Sequence, residues 1–65
     1  MRIDRVKLIA EMARRDLKVN ELAAKAGISR MTVTAVRGGK TCSASTAAKL
    51  ADALGVSVAE IVKKE

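Results

Sequence analysis

The sequence contains no proline, no histidine and no phenylalanine, tyrosine or tryptophan. Without aromatics the core has to be built from Ala, Val, Leu, Ile and Met, and RNA modules that stack bases on Tyr or Phe are disfavoured. Cys42 is the only cysteine, so no intrachain disulfide can form, and the absence of His argues against a metal site. Neither a Cys–His nor a Ser–His–Asp set can be assembled. The carboxylates are dispersed along polar stretches, and GGK lacks the spacing of a nucleotide-binding loop. These absences predict a protein that is not an enzyme and carries no metal, cofactor or evident small-molecule ligand. No apolar run approaches the roughly 18 residues of a membrane span, and charges interrupt the N-terminal apolar residues, unlike a signal peptide. A soluble cytoplasmic protein is expected, with Cys42 a free thiol in a reducing compartment; an intermolecular disulfide is the alternative.

What is present is small and basic. The chain has 65 residues and a formal net charge of +6, which predicts one domain over residues 1–65 and a polyanion as partner. The charge is segregated. No Asp or Glu occurs from Leu22 to Ala51, whereas Lys25, Arg30, Arg37, Lys40 and Lys49 all lie there. The richness in Ala and the scarcity of turn formers favour helix over sheet.

Five short helices are predicted. The first runs from Met1 to Arg15, with Asp4 either its cap or an acid in its first turn. Leu8 with Met12 and Ile9 with Ala13 are i,i+4 pairs, and with Val6 they make an apolar arc wider than one partner helix needs. That arc serves the core, the last helix or another subunit. Leu17 turns inward from the connection. The second helix covers Val19 to Ala26, buried through Leu22, Ala23 and Ala26. Asn20 is its better cap by side-chain chemistry, although the motif spacing favours Lys18. Gly27 ends it in the left-handed region. Ser29 caps a third helix, Arg30 to Arg37. Gly38 and Gly39 end that helix and make either a plain turn or an approach of backbone amide to phosphate. Ser43 caps a fourth helix, Ala44 to Leu54, with the stripe Ala47, Leu50, Ala51 and Leu54, and Gly55 ends it. Ser57 and Glu60 form a capping box for a fifth, with Val58, Ile61 and Val62 apolar and Lys63 and Lys64 closing it.

The third helix carries the functional signal. Val33 and Val36 share one face, leaving Arg30, Met31, Thr34, Ala35 and Arg37 mostly on the other. An exposed face of this composition suits a DNA major groove, where Arg donates two bonds to guanine and Thr, Ala and Met meet thymine methyls. Helix, glycine turn and helix over Val19 to Gly38 fit helix-turn-helix spacing. Ala23 is the small residue where the helices cross, Gly27 stands in the turn, and Leu22, Ala26, Ile28, Val33 and Val36 are buried.

With these residues the sequence resembles the Cro and cI-type phage repressors, the Xre-like family. ELAAKAGISRMTV looks like that family's helix-turn-helix and RGGKT like the segment after its recognition helix. AAKLADALGVSVAEIV, the most specific stretch, is similar to its fourth and fifth helices. The resemblance implies an all-α, lambda-repressor-like DNA-binding domain with the helix-turn-helix as helices two and three. It implies that Ser29, Arg30, Met31, Thr34 and Ala35 read bases and that Lys18, Val19, Gly38, Lys40 and Thr41 meet phosphates, while Thr32 touches either backbone or base. Three departures stand out. Lys18 and Val19 replace a common Thr–Gln, so Val19 has only its backbone amide to offer phosphate. Met12 and Arg37 replace a common Arg–Glu pair, leaving Arg37 to reach phosphate or to snorkel from a partly buried stem. Met31 and Ala35 are poor hydrogen-bonders, so readout leans on Arg30 and on methyl contacts.

The implied function is a sequence-specific regulator of transcription, a repressor, that reads double-stranded DNA with helix 29–37 as a homodimer on a two-fold operator. The alternative is an interaction module of the same fold, such as an antitoxin or a partner of another regulator. It draws on the apolar arc of the first helix and on Met31.

Overall fold

The computed structural model describes residues 1–63. Five helices follow in the expected order: α1 (Arg5–Arg14), α2 (Val19–Ala26), α3 (Arg30–Arg37), α4 (Ala44–Leu54) and α5 (Val58–Ile61). Helices are all-round the only extended regular elements among the described residues; two isolated antiparallel bridges supplement them.

The first helix begins later than its apolar spacing predicts, at Arg5 rather than Met1. Asp4 is its cap, not an acid within it. The Asp4 backbone is extended and its Oδ1 accepts from the Val6 and Lys7 amides at 3.0 and 3.2 Å, which satisfies two of the N–H groups a helix start leaves unpaired. Residues ahead of it are used elsewhere. Arg2 bridges to Thr41 and Ile3 to Val62, and Ile3 is buried in the core. At the other end Asp16 takes a left-handed φ of 53°. The Leu17 amide donates to Met12 O at 2.9 Å, the closure that folds a chain back beside the helix it has left. Leu17 thereby packs partly buried against the core, as its placement predicts.

α5 is shorter than predicted. It ends at Ile61, Val62 is extended, and the Lys63 amide donates to Arg2 O at 2.9 Å. Lys63 therefore lies beyond the helix and does not close it; Lys64, the other expected closing charge, lies outside the described residues. Pairing with Ile3 gives this segment backbone partners that a continued helix would have to replace.

The core joins every element. Leu8, Leu22, Val33, Ala47, Leu50 and Ile61 are fully buried. α2 packs on both α3 and α4, α1 packs on α3 and α5, and α4 packs on α5. Ala23 is buried between α2 and its neighbours, and Ala53 extends the predicted stripe of α4. The arc of α1 is divided: Leu8 and Met12 face inward, whereas Val6 is 72% and Ile9 42% exposed. No helix among the described residues is long and apolar enough to cross a membrane.

Candidate nucleic-acid interface

Two local signals fix the attitude of α3. Gly27 closes α2 at φ 71°, ψ 32°, a conformation that costs residues with a Cβ but not glycine. The Ile28 amide then donates to Ala23 O at 3.0 Å. Two residues on, Ser29 is extended and its Oγ accepts from the Thr32 amide at 3.1 Å. With Val33 and Val36 buried, the helical period turns the side chains between them outward.

Arg30, Met31, Thr34, Ala35, Gly38 and Lys40 line one shallow concavity. Four of the five predicted base readers thus share a surface with two predicted phosphate residues. Met31 is the most exposed large apolar side chain, at 80%. The Thr34 hydroxyl donates to Arg30 O at 3.0 Å, so its hydrogen is committed within the helix and its methyl group is the unbonded branch.

Ser29, the fifth predicted reader, is bonded to Thr32 through the two hydroxyls at 2.8 Å. Two hydroxyls carry two hydrogens and their mutual bond uses one, so the pair retains one to donate outward.

The remaining phosphate candidates divide. Lys18, Val19 and Arg37 line a different groove, with Ile9, Met12 and Leu17. Met12 is nearly buried there while Arg37 is exposed, the arrangement in which an arginine stem covers apolar surface and its charged head stays in solvent. Lys18 settles the start of α2 over Asn20. Its ammonium has no lone pair and cannot cap, but its own amide donates to Glu21 Oε1 at 3.0 Å. The first-turn amides of α2, including that of Val19, therefore have no side-chain acceptor from the cap, as at any helix start without a capping oxygen. Thr41 stands apart, beside Met1, Arg2 and Lys63.

The amides of the glycine turn after α3 are used within the chain. The Gly38 amide donates to Thr34 O at 3.0 Å, Gly39 to Val36 O at 3.0 Å and Lys40 to Ala35 O at 3.0 Å. All three amides close the helix, so this loop is a turn whose N–H groups from Gly38 to Lys40 are already paired.

Two arginines that no motif in the sequence marks, Arg2 and Arg5, lie near this turn. A Cβ on Gly39 would lie 3.9 Å from Arg5 Cδ, and Arg2 and Arg5 border a concavity with Gly39. The available signal was a first helical turn holding Arg5 and Lys7 and no acid. Arg14 and Arg15 differ: both pair with Glu11, at 3.1 and 2.5 Å. The Arg15 guanidinium, bonded to the Glu11 carboxyl, holds it below its ordinary range, with help from the charge of Arg14.

The family model described as the Cro/C1-type HTH DNA-binding domain matches residues 7–65. No curated protein matches the chain.

Proposed function

The chain belongs to the Cro/C1-type helix-turn-helix DNA-binding family, and from that membership we propose that it is a sequence-specific regulator of transcription, a cytoplasmic repressor acting as a homodimer. It binds double-stranded DNA. The observation that carries the finer reading is the concavity shared by Arg30, Met31, Thr34, Ala35 and Lys40, on the exposed side of a helix whose Val33 and Val36 are buried. In this reading Arg30 recognises guanine, and Met31, the Thr34 methyl and Ala35 meet thymine methyls. The Ser29–Thr32 pair donates one hydroxyl to a base or to backbone. Lys18, the Val19 amide, Arg37, Lys40 and Thr41 neutralise or bond phosphates and set the register of α3; Gly38 contributes close approach, its amide being used. One such reader covers few base pairs, and two copies about a two-fold axis supply the specificity, with half-sites about 34–36 Å apart.

Selection of bound duplexes from a random pool tests this directly. A two-fold repeated half-site is the expected result. A pool with no enrichment, although the protein binds duplex, would sink sequence-specific reading. Footprints of one unrepeated half-site with one subunit bound would sink the dimer.

A second reading is an interaction module of the same fold. It is supported by Val6, Ile9 and Met31, all exposed. Absence of any duplex binding at low salt would favour it.

A further inference from the structure

We propose that Arg2, Arg5 and Lys63 form a separate phosphate-binding site that holds the duplex backbone beyond the half-site faced by α3. The inference rests on the DNA-reading function above, but on different residues. Arg2 and Arg5 precede the segment matched to the family.

Three observations carry it. First, the three cations border one concavity with Gly39, and the acid there is Asp4. The Asp4 Oδ1 already accepts from the Val6 and Lys7 amides, so its carboxylate serves the helix start. Second, the site is continuous with the proposed reading surface. Gly39 stands against Arg5 Cδ, and the flanking Gly38 and Lys40 line the concavity of α3. The left-handed φ of 99° at Gly39 turns the chain between the two. A duplex seated on Lys40 thus has Arg5 on the next stretch of surface, where its backbone continues. Third, stability does not account for the charges. Arg5 opens α1 and Lys7 follows in the same turn, with no acid, and the positive end of a helix dipole disfavours cations.

The frame is preformed. Arg2 O accepts the Lys63 amide at 2.9 Å, the Cys42 amide donates to Met1 O at 2.7 Å, and Arg2 pairs with Thr41. These backbone bonds join the N-terminal segment, the loop after α3 and the segment after α5. On such a frame the main chain is ordered before DNA arrives, and only the side chains are left to order on meeting a phosphodiester.

The test compares the wild type, the double variant R2Q/R5Q, the charge-keeping R2K/R5K and K40A. Binding to a long random-sequence duplex and to the same duplex trimmed at its ends is titrated over a range of salt. The double Gln variant is expected to lower the slope of log affinity against log salt by about 1.8, which is about 0.9 for each of two lost contacts, and to respond less than wild type to trimming. R2K/R5K should restore the slope. Ethylation interference should reveal phosphates that matter to wild type and no longer to R2Q/R5Q. Melting temperatures of the variants separate loss of contact from loss of fold, and a Gln variant that has unfolded is replaced by single R5Q. An unchanged slope in R2Q/R5Q beside a lowered one in K40A would overturn this site and leave the α3 surface standing. Failure of wild type to bind duplex would overturn both.

Discussion

Ile3 and Val62 face one another across an antiparallel bridge, and the Asp4 amide next to it donates to Ile61 O at 2.7 Å. This pair joins the segment before α1 to the segment after α5 and carries Ile3 into the core at 1% exposure. Ile3→Ala should cost about 2–5 kcal/mol, the usual penalty for truncating a buried Ile. In so small a domain that is a large share of the total stability. A melt followed by circular dichroism checks it, and a melting temperature near wild type would mean that Ile3 is not held in the core.

Gly27 tests the turn. Space is not the constraint, because a Cβ there would meet nothing within 4 Å. The φ of 71° is. Gly27→Val should therefore destabilise by about 1–3 kcal/mol through backbone strain alone, and Gly27→Ala by less. Melting of both variants decides it, and an unchanged midpoint for Val would remove the left-handed turn.

Arg30 and Lys40 border the same concavity yet should behave differently on DNA. Arg30→Ala should cost about 1–3 kcal/mol on a selected site and relax preference at one base pair, while leaving random duplex comparatively unaffected. Lys40→Ala should weaken both duplexes alike and lower the salt slope by about one unit. Equal losses for both variants on both duplexes would mean that Arg30 is only a positive charge.

Thr34 separates its methyl from its hydroxyl. With the hydroxyl hydrogen given to Arg30 O, Thr34→Val should retain affinity for a selected site and Thr34→Ser should lose part of it. The reverse order, measured by titration on that site, would make the hydroxyl the recognised group.

Glu11 predicts a response to acid. Its bond to Arg15, chiefly, lowers its carboxyl from the ordinary range. A depressed folded-state pKa contributes stability that is present above the unfolded-state value and is lost as pH falls through the folded one. Glu11→Gln should therefore lessen the drop in melting temperature on acidification. The effect should be small, because surface pairs are screened. An identical acid response in both proteins would show that the pair contributes nothing.

The elements whose causes are local are legible in the amino-acid order. Ser29 and Ser43 cap α3 and α4 through bonds to amides three residues on, and Gly27 and Gly55 end α2 and α4. The spacing of Val33 and Val36 was enough to expose Arg30, Met31 and Thr34. Each of these depends on chemistry within one or two helical turns, which is written in consecutive residues. Tertiary structure decided what depends on residues far apart in the chain. Apolar spacing carried the first helix back to Met1, but Ile3 gains a backbone partner in Val62 and a place in the core, so the helix waits for Asp4. Two adjacent glycines left open whether amides face outward, and the carbonyls of Thr34, Ala35 and Val36 claim them. Arg2, Arg5 and Lys63 meet beside Gly39 only because backbone pairing brings three separate segments together, and no local pattern in the sequence encodes that meeting.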